Sequence, residues 1–181
     1  RAPMKLSLAS VLDVLAHPGW LRRVMIPLGA PRFENILEFL PPGSESALVG
    51  ARYMGTQINS KLGWEDIERI RGRWPHKLVL KGVLCVEDAQ RAVEVGADGI
   101  VLSNHGGRQL DSCVSGVELL PAVAAEVGNR ITVLVDGGFR RGSDVLKAIA
   151  LGAHGVMIGR PMLYGLAAGG QAGVSQAIGI L

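Results

Sequence analysis

The feature that most constrains the fold of this chain is a strand-then-helix pattern that repeats four times after residue 76. Each repeat begins with a short run of apolar and β-branched residues and continues with apolar residues at helical spacing. The four runs read KLVLKGVL, GIVLSN, RITVLVDGG and GVMIGR, and the stretches after them read CVEDAQRAVEVGAD, VSGVELLPAVAAEVG, GSDVLKAIALGA and PMLYGLAAGG. Because the strands are apolar throughout, we expect both faces of their sheet to be covered.

Consecutive strand–helix units predict an α/β fold with a parallel sheet. Three of the helical stretches end on a glycine (Gly96, Gly128 and Gly152), and we expect each to close its helix in the left-handed conformation. Four units can form a small doubly wound sheet or half of an eight-stranded barrel. A complete barrel typically takes about 250 residues. A chain of 181 residues can therefore supply only part of one.

The first fifty residues follow a different pattern. Residues 7–18 (SLASVLDVLAHP) and 31–40 (PRFENILEFL) place apolar residues at helical spacing, with Ser7 as the expected N-cap of the first helix and Pro18 as its stop. Up to Phe33 the basic residues outnumber the acids, of which Asp13 is the only one; the basic residues are Arg1, Lys5, Arg22, Arg23 and Arg32. Two interpretations stay open, namely helices that pack on the core with solvated arginines, or a basic amphipathic segment over residues 1–40 that lies on an anionic membrane surface.

Composition excludes several classes of protein. Apolar residues make up 48% of the chain and charged residues 19%, which is typical of a globular domain and not of a disordered one. A net charge of +3 without basic runs does not favour nucleic acid. The two cysteines, Cys85 and Cys113, have no metal-ligand spacing, so we expect a reducing compartment and no metal. We see no signal peptide and no apolar run long enough to cross a bilayer, and we expect the chain to be a piece of a longer protein.

Polar side chains follow all four predicted strands. Lys81 closes the first, His105 and Arg108 follow the second, Asp136 closes the third, and Arg160 follows the fourth. The carboxyl ends of parallel strands lie together at one end of the sheet, and ligands bind at that end in such folds. We therefore expect these five side chains to share a site.

The last two units carry a pattern typical of phosphate binding. In VDGGFRRGSDVLKAIALGAHGVMIGRP, glycines after a strand let backbone N–H groups approach a ligand, and Ser143 is the expected cap of the next helix. Arg140 and Arg160 add fork-shaped donors that suit phosphate. The alternative is that the glycines only make turns.

The segment SNHGGRQLD indicates a reaction as well as a ligand. A neutral imidazole at His105 can accept a proton near neutral pH, and the Arg108 guanidinium can hold a carboxylate with two hydrogen bonds. Together they suit a small acid that carries a reactive proton near its carboxylate. Lys81 either emerges into solvent at the strand end or supplies a positive charge beside a group that becomes anionic during the reaction.

The segments LVLKGV, SNHGGRQLD and DGGFRRGSDVLKAIALGAHGVMIGRP together resemble the FMN-dependent α-hydroxy acid oxidase and dehydrogenase family, along essentially the whole chain. WPHKLVLKG and LYGLAAGG are most similar to its mandelate dehydrogenase branch, which lies close to the flavin lactate dehydrogenases. The resemblance implies that His105 is the base and that Arg108 binds the substrate carboxylate. It implies that FMN is bound by Lys81, Ser103, Asp136, Gly137, Gly138, Phe139, Arg140, Gly159 and Arg160.

The resemblance also implies the fold and the reaction. The fold would be a TIM (β/α)8 barrel, of which this chain supplies strands five to eight (residues 77–181) and the variable loop after strand four (residues 1–50). The reaction would be oxidation of an (S)-2-hydroxy acid to the 2-oxo acid, with quinone or oxygen as electron acceptor. The protein would be a homotetramer in the cytoplasm, peripheral to the membrane where residues 1–40 attach it. The alternatives are another phosphate-binding barrel enzyme, or a half-barrel that binds FMN or a partner chain without turnover.

Overall fold

A computed structural model describes residues 7–29, 32–43, 46–59 and 61–181. The chain divides into two compact units, Arg1–Leu62 and Gly63–Leu181. The basic residues Arg1 and Lys5 lie outside the described residues.

The first unit is helical over its described residues. Its elements are α1 (Leu8–Ala16), α2 (Pro18–Trp20), a π-helical segment (Leu21–Met25), α3 (Ile26–Leu28), a 3₁₀ helix (Glu34–Phe39) and α4 (Ala47–Gln57). The Ser7 hydroxyl accepts from the Ser10 N–H at 3.1 Å, which confirms the predicted N-cap. Pro18 follows the end of α1 but also opens α2, so the helical course continues beyond the predicted stop.

The second predicted helix of this unit is a 3₁₀ helix, and the expectation of an α-helix there is wrong. A 3₁₀ helix aligns side chains three residues apart, so Phe33 and Ile36 fall on one side. Both reach Gly50 of α4, where an added Cβ would lie 3.1 Å from Phe33 Cδ2 and 3.8 Å from Ile36 Cδ1. The side chains on this side of the 3₁₀ helix thus pack against a residue without a side chain.

The second unit consists of one helix followed by four strand–helix repeats. Its helices are α5 (Trp64–Arg73), α6 (Val86–Glu94), α7 (Gly116–Val127), α8 (Gly142–Ala150) and α9 (Arg160–Ile180). Its strands are β1 (Val79–Val83), β2 (Gly99–Leu102), β3 (Thr132–Asp136) and β4 (Gly155–Met157). All pair in parallel in the order β1-β2-β3-β4, which confirms the predicted α/β class and parallel sheet.

The helices cover one face of this sheet. Fully buried residues of β2 and β3, such as Ile100 and Val133, belong to a hydrophobic core with Leu120 of α7. On the edge strands, Val79 of β1 and Met157 of β4 are 46% and 41% exposed. The prediction that both faces are covered holds for β2, all four residues of which are buried, and is wrong at these two residues of the edge strands.

Two of the three predicted glycine caps are confirmed. Gly96 and Gly152 follow α6 and α8 with φ of +76° and +102°, in the region that glycine alone adopts readily. Gly128 caps α7 with φ −62°, so the left-handed prediction is wrong there. The chain turns once more after α7, with the N–H groups of Arg130 and Ile131 both bonded to the Val127 carbonyl, and that turn needs a right-handed residue.

A cluster of polar contacts ties α5 to the amino ends of β1 and β2. The Asp98 carboxylate accepts from Lys77 Nζ at 2.8 Å, from the Leu78 N–H at 2.9 Å and from Arg71 Nη1 at 3.0 Å. The Lys77 ammonium and the Leu78 N–H together lower the pKa of Asp98 from 3.8 to about 2. Sequence reasoning did not identify this cluster, because its members come from three separate elements.

We expect the Asp98→Asn variant to unfold at a lower temperature than the unmodified protein at pH 7. A carboxyl whose pKa is lower in the folded state stabilises that state above its unfolded pKa, and this contribution is lost as the pH falls from about 4 to about 2. The two proteins should therefore converge in melting temperature over that interval. Thermal unfolding followed by circular dichroism at pH 7, 4, 3 and 2 measures this difference. Glu65→Gln, which makes the same charge change at an exposed residue of α5, should melt close to the unmodified protein throughout.

Candidate active site at the carboxyl ends of the strands

Lys81 lies where β1 changes register against β2. Gly82 interrupts the pairing with φ +102°, so Lys81 pairs with Val101 while Val83 pairs with Leu102. Lys81 Nζ donates to Ser103 Oγ at 2.7 Å and forms an ion pair with Asp136 at the end of β3. The Lys81 ammonium is therefore held by partners from the next two strands rather than being free in solvent.

The loop after β2 brings His105 to this lysine. Ser103, which is 1% exposed, accepts at Oγ from the His105 N–H at 3.2 Å as well as from Lys81. The imidazole lies against β1, since an added Cβ at Gly82 would be 3.6 Å from His105 Cε1. Arg108 Nε donates to the His105 carbonyl at 3.2 Å. One hydroxyl thus connects the lysine to the histidine, and the arginine is bonded to the same histidine.

The turn after β3 leaves room and hydrogen-bonding capacity for a ligand. Gly137 and Gly138 have φ of +101° and +86°, and an added Cβ at Gly138 would meet no atom within 4 Å. Asp136 Oδ1 is buried and has no hydrogen-bond partner among the described residues. A buried carboxylate oxygen of this kind is costly unless a donor is supplied. A ligand with hydroxyl groups would supply one.

One expectation for this turn needs correction. Ser143 lies inside the first turn of α8 and does not cap it; instead Asp144 Oδ2 accepts from the N–H groups of Arg140 and Arg141, both at 3.1 Å. The longer reach of Asp144, at the third position of the helix, lets it take two donors at once. The Phe139 side chain is 5% exposed and belongs to the hydrophobic core, so only its backbone can face a ligand.

The start of α9 meets the loop after β2. An added Cβ at Gly106 would collide with the Arg160 guanidinium, so Arg160 lies directly against the backbone beside His105. Gly159 and Arg140 are exposed on the same side of the sheet, at the ends of β4 and β3. Arg140 is close to the other predicted residues because it belongs to the same turn as Asp136.

The arrangement can bind an anion and move a proton. Lys81, Arg108 and Arg160 supply positive charge, the His105 imidazole supplies a proton acceptor, and the glycine turn after Asp136 supplies exposed backbone N–H groups. The same donors, with the unpaired Asp136 oxygen, fit a cofactor that carries hydroxyl groups and a phosphate. Among the described residues, no group of His, Cys, Asp and Glu side chains is arranged to hold a metal ion.

Two shallow clefts lie at the opposite end of the sheet. One, of about 340 Å³, is lined by Arg71, His76 and Asp98, and the other, of about 380 Å³, by Lys77, Asn129 and His154 among others. The charged groups of the first already bond to each other and to backbone carbonyls. Neither cleft includes the predicted site residues, and we place the site at the carboxyl ends of the strands.

Sequence reasoning missed two residues of this site. Gly82 creates the register change beside Lys81 and makes room for the imidazole. Asn104 accepts at Oδ1 from the Gly106 N–H at 3.0 Å and donates from Nδ2 to the Val114 carbonyl at 3.4 Å. An asparagine just before a glycine turn is a recognisable turn signal, and it could have drawn attention to Asn104.

Comparison with known proteins assigns the fold to a family. The profile of FMN-dependent dehydrogenases matches residues 1–181. The chain is 44% identical over 181 residues to (S)-mandelate dehydrogenase of Pseudomonas putida and 54% identical over 129 residues, or 71% of the chain, to L-lactate oxidase of Nostoc. The crystal structure of the monotopic membrane protein (S)-mandelate dehydrogenase superimposes with a TM-score of 0.86 at 43% identity over 99% of this chain.

The chain spans less than half the length of these relatives. It covers 44% of the mandelate dehydrogenase, 35% of the lactate oxidase and 47% of the superimposed crystal structure. The parallel strand–helix repeats and the close superposition confirm the predicted α/β architecture of a TIM-barrel family. None of the helices in the described part of the chain combines the length and apolar character needed to span a bilayer.

Proposed function

This chain belongs to the FMN-dependent dehydrogenase family, and we propose that the whole protein oxidises an (S)-2-hydroxy acid, such as mandelate or lactate, to the 2-oxo acid with bound FMN. The observation that carries the proposal is the bonded group formed by Lys81, Ser103 and His105, with Arg108 on the His105 carbonyl. A phosphate-binding barrel enzyme of another class would use the glycine turn and Arg160 to bind phosphate. The His105 imidazole and Arg108 would then have no role in its reaction.

We assign the binding of FMN to residues at the ends of all four strands. They are Lys81, Ser103, Asp136, Gly137, Gly138, Phe139, Arg140, Gly159 and Arg160. The unpaired, buried Asp136 Oδ1 suits a ribityl hydroxyl, and the exposed guanidinium of Arg160 suits the phosphate. When bound, FMN supplies the acceptor for the two electrons that leave the substrate.

The residues of this chain bind the acid and move its proton. Arg108 holds the carboxylate through its terminal Nη atoms while its Nε stays on the His105 carbonyl. The imidazole accepts one proton, from the hydroxyl if the α-hydrogen leaves as hydride and from the α-carbon if it leaves as a proton. Lys81 places a fixed positive charge where negative charge accumulates upon reduction, and Ser103 and Asp136 hold it there.

Anaerobic reduction tests the proposed function. The purified protein should be yellow with bound FMN, and the flavin absorbance should bleach when (S)-mandelate or (S)-lactate is added without oxygen. The 2-oxo acid should form in a 1:1 ratio to reduced flavin. A protein that binds no FMN, or whose flavin neither acid reduces, would contradict the proposal. Reduction by the (R) enantiomers at the same rate would contradict the assigned stereochemistry.

We also propose that the first unit attaches the protein to a membrane surface, over residues 1–40. On α1, Leu8, Leu12 and Leu15 are 76%, 57% and 61% exposed. Arg22 and Arg23 lie in the helical segment that follows shortly after. Exposed leucines beside basic residues are typical of a helix that lies in a membrane interface. The similarity to a mandelate dehydrogenase described as a monotopic membrane protein supports this proposal.

Vesicle binding measures this attachment. We expect the protein to co-sediment with vesicles that contain anionic lipid and to bind them more weakly at high salt. Leu8→Glu and Leu12→Glu should each weaken binding by about tenfold or more, because burial of one leucine contributes about 1.5–3 kcal/mol. Leu146→Glu is the matched control, since this leucine of α8 in the other unit is 71% exposed. Equal loss of binding in the control would contradict the assignment to α1.

The remaining proposals concern the electron acceptor and the assembly of the whole protein. A protein attached to the membrane surface can pass electrons to a membrane quinone, and we propose quinone rather than oxygen as the acceptor. Oxidation of reduced enzyme by a soluble quinone analogue, compared with oxidation by air, distinguishes the two acceptors.

We further propose that residues 1–50 form the variable loop after strand four and that residues 77–181 supply strands five to eight. We propose that the whole protein is a homotetramer on the cytoplasmic face of the membrane.

A further inference from the structure

We propose that Asn104 is a positioning residue that holds His105 in the backbone conformation from which its imidazole acts; this inference rests on the proposed function. His105 has φ +56°. Ser112 is the other non-glycine residue with positive φ in the described part of the chain. A residue with a Cβ rarely adopts this conformation, so other contacts must hold it there.

His105 is the first residue of a longer left-handed stretch. Gly106 and Gly107 follow with φ of +67° and +72°, so three consecutive residues adopt a conformation that only the two glycines tolerate easily. Relaxation of His105 to negative φ would rotate its Cα–Cβ bond and carry the imidazole away from Gly82. The position of the proton acceptor therefore depends on what holds this stretch.

Asn104 contacts the stretch at both of its glycines. Its side-chain Oδ1 accepts from the Gly106 N–H at 3.0 Å, and its backbone carbonyl accepts from the Gly107 N–H at 3.0 Å. Its Nδ2 donates to the Val114 carbonyl at 3.4 Å, near the far end of the loop. The side chain of Asn104 thus connects the start of the turn to the segment that leads into α7.

Asn104 differs in kind from the other residues that hold His105. Ser103 accepts from the His105 N–H, but it also accepts from Lys81. Arg108 donates to the His105 carbonyl, but it is also assigned to the substrate. The hydrogen bonds of the Asn104 side chain go instead to backbone atoms of the loop, at Gly106 and Val114. Its removal should therefore displace the imidazole while Lys81, Ser103 and Asp136, which are assigned to FMN, keep their bonds to one another.

Substitution of Asn104 separates positioning from binding. In Asn104→Ala we expect the rate of flavin reduction at saturating (S)-hydroxy acid to fall about 10²-fold, the effect of misplacing a reacting group by about 1 Å. The dissociation constant of FMN should change by less than about threefold. Asn104→Asp keeps an oxygen acceptor for the Gly106 N–H and should recover most of the rate. Asn129→Ala, an exposed asparagine at the other end of the sheet, should react like the unmodified protein.

A crystal structure of Asn104→Ala gives a readout that does not depend on activity. We expect His105 to show negative φ in the variant and positive φ in Asn104→Asp. The inference is overturned if His105 keeps positive φ in the alanine variant, if the variant reduces at the unmodified rate, or if FMN affinity and rate fall together. If the unmodified protein shows no flavin reduction at all, the proposed function fails, and the crystal structures alone still decide whether Asn104 holds the His105 backbone.

Discussion

Replacement of His105 by glutamine is expected to leave the protein yellow with bound FMN and to slow its reduction by an (S)-2-hydroxy acid about 10³-fold or more. Glutamine has similar size and can still form hydrogen bonds, but its amide cannot accept a proton near neutral pH. A positioned general base contributes about 10²–10⁴-fold to a rate. The hydrogen bond to Ser103 Oγ is donated by the backbone N–H of residue 105, so it survives the change of side chain and the loop should keep its course.

Anaerobic stopped-flow spectroscopy of the flavin absorbance measures this effect, and FMN affinity is measured on the same preparations. His76→Gln is the control, because His76 is exposed and lies before β1, at the opposite end of the sheet. It should reduce at the unmodified rate. Reduction of the His105→Gln variant within about threefold of the unmodified protein would show that this imidazole does not accept the proton and would leave the base unassigned.

The second large effect is expected at Arg108. Arg108→Met should lower kcat/KM for (S)-hydroxy acids about 10²–10⁴-fold, because two hydrogen bonds to a charged carboxylate are lost and each contributes about 1.5–3 kcal/mol. Arg108→Lys should recover only part of this loss, since an ammonium cannot donate to both carboxylate oxygens and to the His105 carbonyl with the same planar geometry.

Steady-state kinetics with the free acid and with its methyl ester distinguish this role from a structural one. The unmodified protein should strongly prefer the acid, and Arg108→Met should lose most of that preference. Arg130→Met changes the same charge at an exposed residue after α7 and should leave kcat/KM unchanged. A variant at Arg108 that still prefers the acid as strongly as the unmodified protein would show that another group binds the carboxylate.

Much of the fold follows from local patterns. The four strand–helix repeats, the parallel sheet, the Ser7 cap and the glycine ends at Gly96 and Gly152 are each encoded within a few residues, because hydrophobic period and backbone preference act over short distances. The predictions that failed depend on contacts that these patterns do not include. The 3₁₀ helix over Glu34–Phe39 packs on Gly50 of another helix, and the right-handed Gly128 precedes a further turn of the chain.

For the candidate site too, some properties follow from the sequence and others do not. The residue types at the strand ends, and their resemblance to a family, are properties of the sequence, and the family is confirmed by the comparisons. The sequence predicted that five side chains lie together at one end of the sheet, because parallel strands end together. They are those of Lys81, His105, Arg108, Asp136 and Arg160. The roles of these residues stay proposals, and each can be tested by substitution of one residue at a time.

The sequence by itself determined the type of sheet, the order of its elements and the chemistry available at its carboxyl end, since periodicity and residue type are local properties. Only the tertiary structure decided that Ser103 joins Lys81 to His105, that the Arg160 guanidinium lies on Gly106, and that Asn104 spans the loop around a strained histidine. The reason is physical. Hydrogen bonds depend on separations of about 3 Å between atoms, and in a folded chain those separations join residues that no short-range pattern relates.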